Sequence, residues 1–127
     1  MNKMILSRTV PVRAVTPDDG GQYFFGYFDK FQFNSDDTLL LGNRIDFTAR
    51  QPRFGERNTV GIIDPQKCTF EPLAHSLAWN WQQGSMLQWF SDNEVIYNDV
   101  ADVRSRWSDP PGHHIHIRGV LVQAGQN

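Results

Sequence analysis

The chain has 127 residues, a formal net charge of −2, 13% aromatic residues and one cysteine. That length fits one domain, the near-neutral charge gives no electrostatic ground for nucleic acid or an anionic membrane as partner, and a lone Cys68 excludes an internal disulfide. No apolar run approaches the roughly 18 residues of a membrane-spanning helix, and Met4-Ile5-Leu6 is shorter than the export-signal core of about 7–15 residues. As given, the chain therefore reads as cytoplasmic; a start assigned too late would hide an export signal.

Residues 1–21 form an N-terminal arm. It carries a weak β pattern near Met4-Ile5-Leu6 and from Val10 to Val15, and Pro11 argues for an edge strand or an extended segment. Thr16-Pro17-Asp18-Asp19-Gly20-Gly21 has strong turn chemistry. A strand is expected over 22–30, where Tyr23, Phe24, Phe25, Tyr27 and Phe28 put five aromatics into six positions. One alternating strand cannot bury them all. They make either a core strand with an aromatic edge or one wall of an aromatic-lined pocket. Asp29-Lys30 at its end faces that pocket or is a solvated ion pair.

The organising feature comes next. Phe31-Gln32-Phe33-Asn34-Ser35-Asp36-Asp37-Thr38-Leu39-Leu40-Leu41-Gly42-Asn43 aligns with 87–99 without a gap, at a constant offset of 56 residues. Gln32/Gln88, Ser35/Ser91 and Asp36/Asp92 are identical. Each copy reads as strand, polar turn, strand: alternating aromatic or aliphatic residues, then Ser-Asp-Asp or Ser-Asp-Asn, then a β-rich run. Two hairpins at fixed spacing predict a repeat architecture, and four-stranded propeller blades recur at about 40–50 residues. The longer spacing here calls for one enlarged loop. Residues 48–57 supply it, with Arg50, Arg53 and Arg57 in it and Arg44 just before. Arginine forks suit an anionic ligand such as an acidic sugar, and a solvated basic loop is the alternative.

Asn58 to Asp64 reads as a strand, Asp64-Pro65-Gln66-Lys67 as a turn and Cys68 to Leu73 as an outer strand, since Pro72 is tolerated only near an edge. Residues 22–73 are then one blade of four antiparallel strands, and 74–99 begin a second. In Ala78-Trp79-Asn80-Trp81-Gln82-Gln83-Gly84 the indoles fall on one strand face and Asn80 and Gln82 on the other. Amides hydrogen-bond hydroxyls and indoles stack on C–H faces, so this run either lines a sugar cleft or fills space between blades. Residues 100–127 depart from the pattern as an atypical tail. Within it His113 to Val122 has strand character, and His114 and His116 would share one face. Such a pair can ligate zinc or another divalent ion, but no third and fourth ligand stands near it; an exposed strand face is the alternative.

The segments 24–30, 60–64 and 78–89, ending in Val95-Ile96-Tyr97-Asn98-Asp99, resemble the N-terminal part of a bacterial family of TolB-like six-bladed β-propellers. That family is loosely similar to oligogalacturonate lyases, which split acidic pectin fragments. The resemblance covers residues from about 16 to 99, and Trp-Asn-Trp-Gln-Gln-Gly carries most of it. It implies an all-β fold of about two antiparallel four-stranded blades of an incomplete β-propeller, in a chain truncated or frame-shifted relative to its relatives. It implies a carbohydrate-related role, binding or cleaving an acidic sugar; the residues read above as facing such a ligand are Tyr27, Asp29, Arg44, Trp79, Asn80, Trp81, Gln82 and Gln83. No residue matches a lyase metal ligand, so no cofactor, metal residue or catalytic residue is assigned and catalysis by this chain alone is not expected. Two blades would expose apolar faces that invite self-association. A non-catalytic protein-interaction propeller and a nonfunctional truncated product are the alternatives.

Overall fold

A computed structural model describes residues 9–104 and 114–124. Met4-Ile5-Leu6, Trp107, His113 and the last three residues lie outside that range. The described residues form seven strands and no helix: β1 (Gln22–Phe24), β2 (Leu40–Ile45), β3 (Asn58–Asp64), β4 (Thr69–Ser76), β5 (Gln88–Ser91), β6 (Glu94–Arg104) and β7 (His114–Gln123). They make two antiparallel sheets, β1-β2-β3-β4 and β5-β6-β7. The fold is all-β and has the form of an incomplete propeller.

Sheet 1 is a meander whose inner strands have few polar breaks. Leu41, Ile45, Val60 and Ile62 are buried, with Leu41 opposite Ile62. β4 is the outer strand and carries Pro72 at the sheet edge, where its missing N–H costs no ladder bond. Val60 pairs with Ala74 and Gly61 with Pro72, so Leu73 is the extra residue of a bulge. The turn after β3 forms because the Asp64 carboxylate accepts the backbone N–H groups of Gln66 and Lys67 at 2.9 and 3.3 Å. Sheet 2 lies against sheet 1. The shared core joins Leu41, Val60 and Ile62 to Leu87, Val95, Tyr97 and Ala124.

Several expectations change. The strand expected over 22–30 ends at Phe24, because Gly26 brings the chain so close to the 82–84 turn that a Cβ there would stand 2.8 Å from the Gln83 carbonyl oxygen. Phe31-Gln32-Phe33 is reduced to one bridge, Phe33 to Leu40. β4 runs three residues past Leu73. Residues 77–87 hold no strand, so the indoles of Trp79 and Trp81 are not ordered by strand alternation. Residues 100–104 continue β6, and 114–123 pair with it as β7, giving sheet 2 its third strand.

The repeat is real in three dimensions, but its offset is not constant. The Leu41 N–H donates to the Gln32 carbonyl at 3.0 Å; in sheet 2, Gln88 lies opposite Ile96 and Trp89 opposite Val95. The offset is therefore 56 residues before the turn and 55 after it. Six residues separate Phe33 from Leu40, and five separate Trp89 from Val95. The first turn is closed by Asn34, whose side-chain carbonyl accepts the N–H groups of Thr38 and Leu39 at 2.9 Å, and Asp37 adopts φ +59° there. The second is a tighter turn in which Ser91 pairs with Glu94. In the corrected register Leu41 corresponds to Ile96, Ile45 to Val100 and Asn43 to Asn98. The two turns touch: the Ser35 hydroxyl donates to Asp92 at 2.8 Å.

Candidate functional site

Two loops meet at one end of the sheets, 48–57 between β2 and β3 and 77–87 between β4 and β5. The second is built on a tight turn. Asn80 and Gly84 exchange backbone hydrogen bonds of 3.1 and 2.9 Å, and the Asn80 side-chain oxygen accepts the Gln83 N–H at 2.7 Å. Gly84 sits at φ +60°, and a Cβ there would lie 2.4 Å from the Phe25 carbonyl oxygen, so only glycine fits.

A buried polar cluster anchors this turn to sheet 1. Asn43 donates to the Phe25 carbonyl at 2.7 Å; its own carbonyl accepts the Ser85 hydroxyl at 3.1 Å and the Asn58 amide. Asn43, Asn58 and Ser85 are fully buried. Ser76 does the same for sheet 2, donating to the Asn98 carbonyl at 2.5 Å. These groups fix where the 77–87 loop stands relative to both sheets.

The indoles tie one loop to the other. Trp79 Nε1–H donates to the Glu56 carbonyl and Trp81 Nε1–H to the Arg50 carbonyl, both at 2.7 Å. The two rings meet edge-to-face at 5.7 Å, and Phe24 and Phe47 pack against both at 5.2–5.9 Å. Arg50 stacks over Phe47 at 3.7 Å. It also grips Glu56 with two parallel bonds of 2.8 and 2.6 Å, while Glu56 accepts the Arg53 N–H at 2.6 Å. The guanidinium, seconded by that N–H, holds the Glu56 carboxyl down to about 2. Arg44 is likewise engaged, by Asp19 at 3.3 Å and Asp46 at 2.8 Å. Asp19 is held down to about 2, by the Tyr23 hydroxyl first and then by the Gly21 N–H and Arg44.

This changes the expected site. Trp79, Asn80 and Gln83 do converge. With Phe54, Leu77, Ala78, Gly84, Met86, Asn98, Val100 and Ile117 they line a groove of about 340 Å³. Trp81 faces a separate depression with Thr48, Ala49, Arg50 and Gln51. Gln82 is exposed and lines neither. Tyr27 stacks on Phe28 at 4.5 Å and lies outside the groove, and Asp29 pairs with Lys30 at 2.9 Å. Arg44 is taken up by its two carboxylates on the sheet 1 side. Arg44 and Arg50 of the expected basic group are thus taken up by carboxylates, and no charged residue lines the groove. Asn98, Met86 and Leu77 were not singled out from sequence. The signal for Asn98 was present: in the corrected register it repeats Asn43.

A larger cavity of about 540 Å³ lies between the two repeated hairpins, lined by Lys30, Phe31, Gln32, Phe33, Trp89 and Phe90 among others. Its polar groups are largely spent on the hairpins. Ser35 bonds Asp92, Asn34 closes its own turn, and the Gln32 carbonyl accepts Trp89 Nε1–H at 3.0 Å. Among the described residues no three His, Cys, Asp or Glu side chains are grouped to hold a metal ion. Comparison with family models, with curated proteins and with solved structures gives no match to this chain.

Proposed function

We propose that this chain is part of a carbohydrate-binding β-propeller whose groove beside Trp79 takes an uncharged sugar unit. One observation carries the proposal: an indole and three carboxamides, Asn80, Gln83 and Asn98, meet in a groove without a charged side chain. Carboxamides donate to and accept from hydroxyls, and an aromatic face packs on sugar C–H groups. The groove volume is at the small end for ligand pockets, which suits one or two sugar rings. An acidic sugar is disfavoured because Arg44 and Arg50 already hold carboxylates. The resemblance of the Trp-Asn-Trp-Gln-Gln-Gly run to TolB-like propellers supports a carbohydrate ligand, while the acidic sugar it implies is replaced here by an uncharged one. The role is binding, since no nucleophile and base are paired at the groove.

Isothermal titration with neutral and uronic-acid disaccharides tests this. Neutral sugars should bind and uronides should bind more weakly. Gln83→Ala, which keeps the Trp79 and Asn80 anchors, should weaken binding about tenfold, the worth of one hydrogen bond of about 1–1.5 kcal/mol. Equal binding by the Gln83→Ala variant, or no heat with any sugar, would sink the proposal. A second role, as a protein-interaction surface, is favoured by the cavity between the hairpins, where Phe31 is 88% and Phe90 63% exposed.

A further inference from the structure

The outer face of sheet 2 repeats, uncovered, the face on which sheet 2 itself rests. In sheet 1 the covered face presents Leu41, Asn43 and Ile45 on β2 and Asn58, Val60 and Ile62 on β3, with Leu41 opposite Ile62 and Asn43 opposite Val60. In sheet 2, Ile96 lies opposite Leu121, Asn98 opposite Gly119 and Val100 opposite Ile117. The hairpin register makes these the same positions. Val95, Tyr97, Val120 and Val122 point to the core, so Ile96, Val100, Ile117 and Leu121 point away from it. Leu121 is 49% and Ile117 58% exposed, where Ile62 is 3%.

The far face of sheet 1 is closed to such a contact. Gly42 pairs with Gly61 at its centre, and a Cβ at Gly61 would stand 2.6 Å from the Phe70 ring. Phe70 is folded down onto the strip the glycines leave, with Tyr23 against its edge at 5.3 Å. The N-terminal arm crosses there too. Arg13 donates to the Pro65 carbonyl at 2.7 Å and Cys68 Sγ to the Ala14 carbonyl at 3.6 Å. Leu40 and Ile63 are buried beneath. A second copy therefore cannot add head to tail, sheet 2 onto sheet 1.

We infer that the outer face of sheet 2 docks the same face of a second copy, forming a two-fold dimer. The face is self-complementary. Gly119 leaves a hollow between two projecting side chains of β7, Ile117 and Leu121, and a Cβ added at Gly119 would meet only the Ile96 side chain, at ordinary contact of 3.6 Å. Turned over on itself, the strand places a Leu121 or Ile117 of one copy over Gly119 of the other. The whole face is about 30 Å along β7 and about 15 Å across three strands, about 900 Å² for the two copies together, which is below the roughly 1,200 Å² of stable interfaces and in the range of weak, transient ones. The dimer should thus form reversibly as concentration rises. Val100 and Ile117 also line the Trp79 groove, so the second copy borders it.

Sedimentation equilibrium across a wide concentration range tests the inference. The mass should climb from 14.6 kDa towards twice that value. Leu121→Glu should hold the chain at monomer mass with an unchanged thermal transition. Gly119→Val, which fills the hollow and suits a strand, should weaken association at least tenfold while keeping the fold. Phe28→Ser, at an apolar side chain 85% exposed on another surface, should leave the dimer intact. A wild-type chain that stays monomeric, a dimer that survives both Leu121→Glu and Gly119→Val, or one lost with Phe28→Ser overturns it. Sugar titration of the monomeric Leu121→Glu variant separates this inference from the proposed ligand, because that substitution leaves every groove residue in place.

Discussion

Ile62 in sheet 1 and Leu121 in sheet 2 occupy the same place on the strand that follows each copy of the hairpin, yet one is sealed and the other is half open to solvent. Each pairs with the preceding strand in the same way, Ile62 with Leu41 and Leu121 with Ile96, but β4 flanks Ile62 on its other side while β7 is the edge of sheet 2. Cover differs as well: sheet 2 lies over Ile62, and among the described residues nothing lies over Leu121. Burial here is thus a property of sheet stacking and not of the hairpin. The far faces differ in the opposite sense. Sheet 1 turns its own Phe70 onto a glycine pair, whereas sheet 2 has Tyr97 and Val120 at the corresponding central pair and uses them for the core.

Ile62→Ala and Leu121→Ala break this comparison most directly. Ile62→Ala should cost about 2–5 kcal/mol, the range for truncating a buried aliphatic chain. The measurement is urea unfolding followed by tryptophan fluorescence, at protein concentrations too low for association.

Asn43→Ala should come next, at about 1–3 kcal/mol, because it leaves the Phe25 carbonyl and the Ser85 hydroxyl buried without their partner. Asn98→Ala, at the equivalent position, should cost far less, since its side chain faces the groove. A loss at Asn98 as large as that at Asn43 would show that the two sheets are not covered as differently as their faces indicate.

Leu121→Ala should shift dilute-solution stability by only about 0.5 kcal/mol, as surface substitutions do. The same unfolding experiment reads it. A large loss would mean that the face is covered within the single chain.

How much of this was legible in the sequence follows from the same contrast. Hairpins are local, so the copies at 31–43 and 87–99 announced themselves through Gln, Ser and Asp at matching positions. The strand 58–64 was readable because Val60, Ile62 and Ile63 lie between turn residues. The one-residue change after the turn was invisible, since Leu39-Leu40-Leu41 offers an apolar partner at either register. Turn closure by Asn34 decided it. Likewise, Trp79 and Trp81 looked like residues of a strand, and only the Asn80–Gly84 turn, forced by contact with Phe25 from another part of the chain, removed that strand. The arginines suggested an anion site because four of them gather between 44 and 57, while Glu56 pairs with Arg50 six residues away and Asp19 reaches Arg44 from 25 residues upstream. A charge count cannot show which carboxylate an arginine reaches.

The smallest expected effect concerns those ion pairs, which sit on sheet 1 and its loop. Glu56 and Asp19 are both held down to about 2 in the folded chain, below the ordinary carboxylate value of about 4. A carboxylate held down on folding stabilises the fold above its unfolded value and loses that contribution as pH falls through the folded one. The melting temperature should therefore be level from neutral pH to about 5 and then fall between about 4 and about 2. Both pairs are solvent-exposed, so the drop should be modest and should shrink further in high salt. Glu56→Gln should flatten part of that slope and lower stability slightly at neutral pH, because Arg50 and the Arg53 N–H then lose their charged acceptor. It should also loosen the 48–57 loop, whose Glu56 carbonyl holds the Trp79 indole. If Glu56→Gln left the acid slope unchanged while weakening sugar binding, the pair would act on the groove through the position of Trp79 and not through stability.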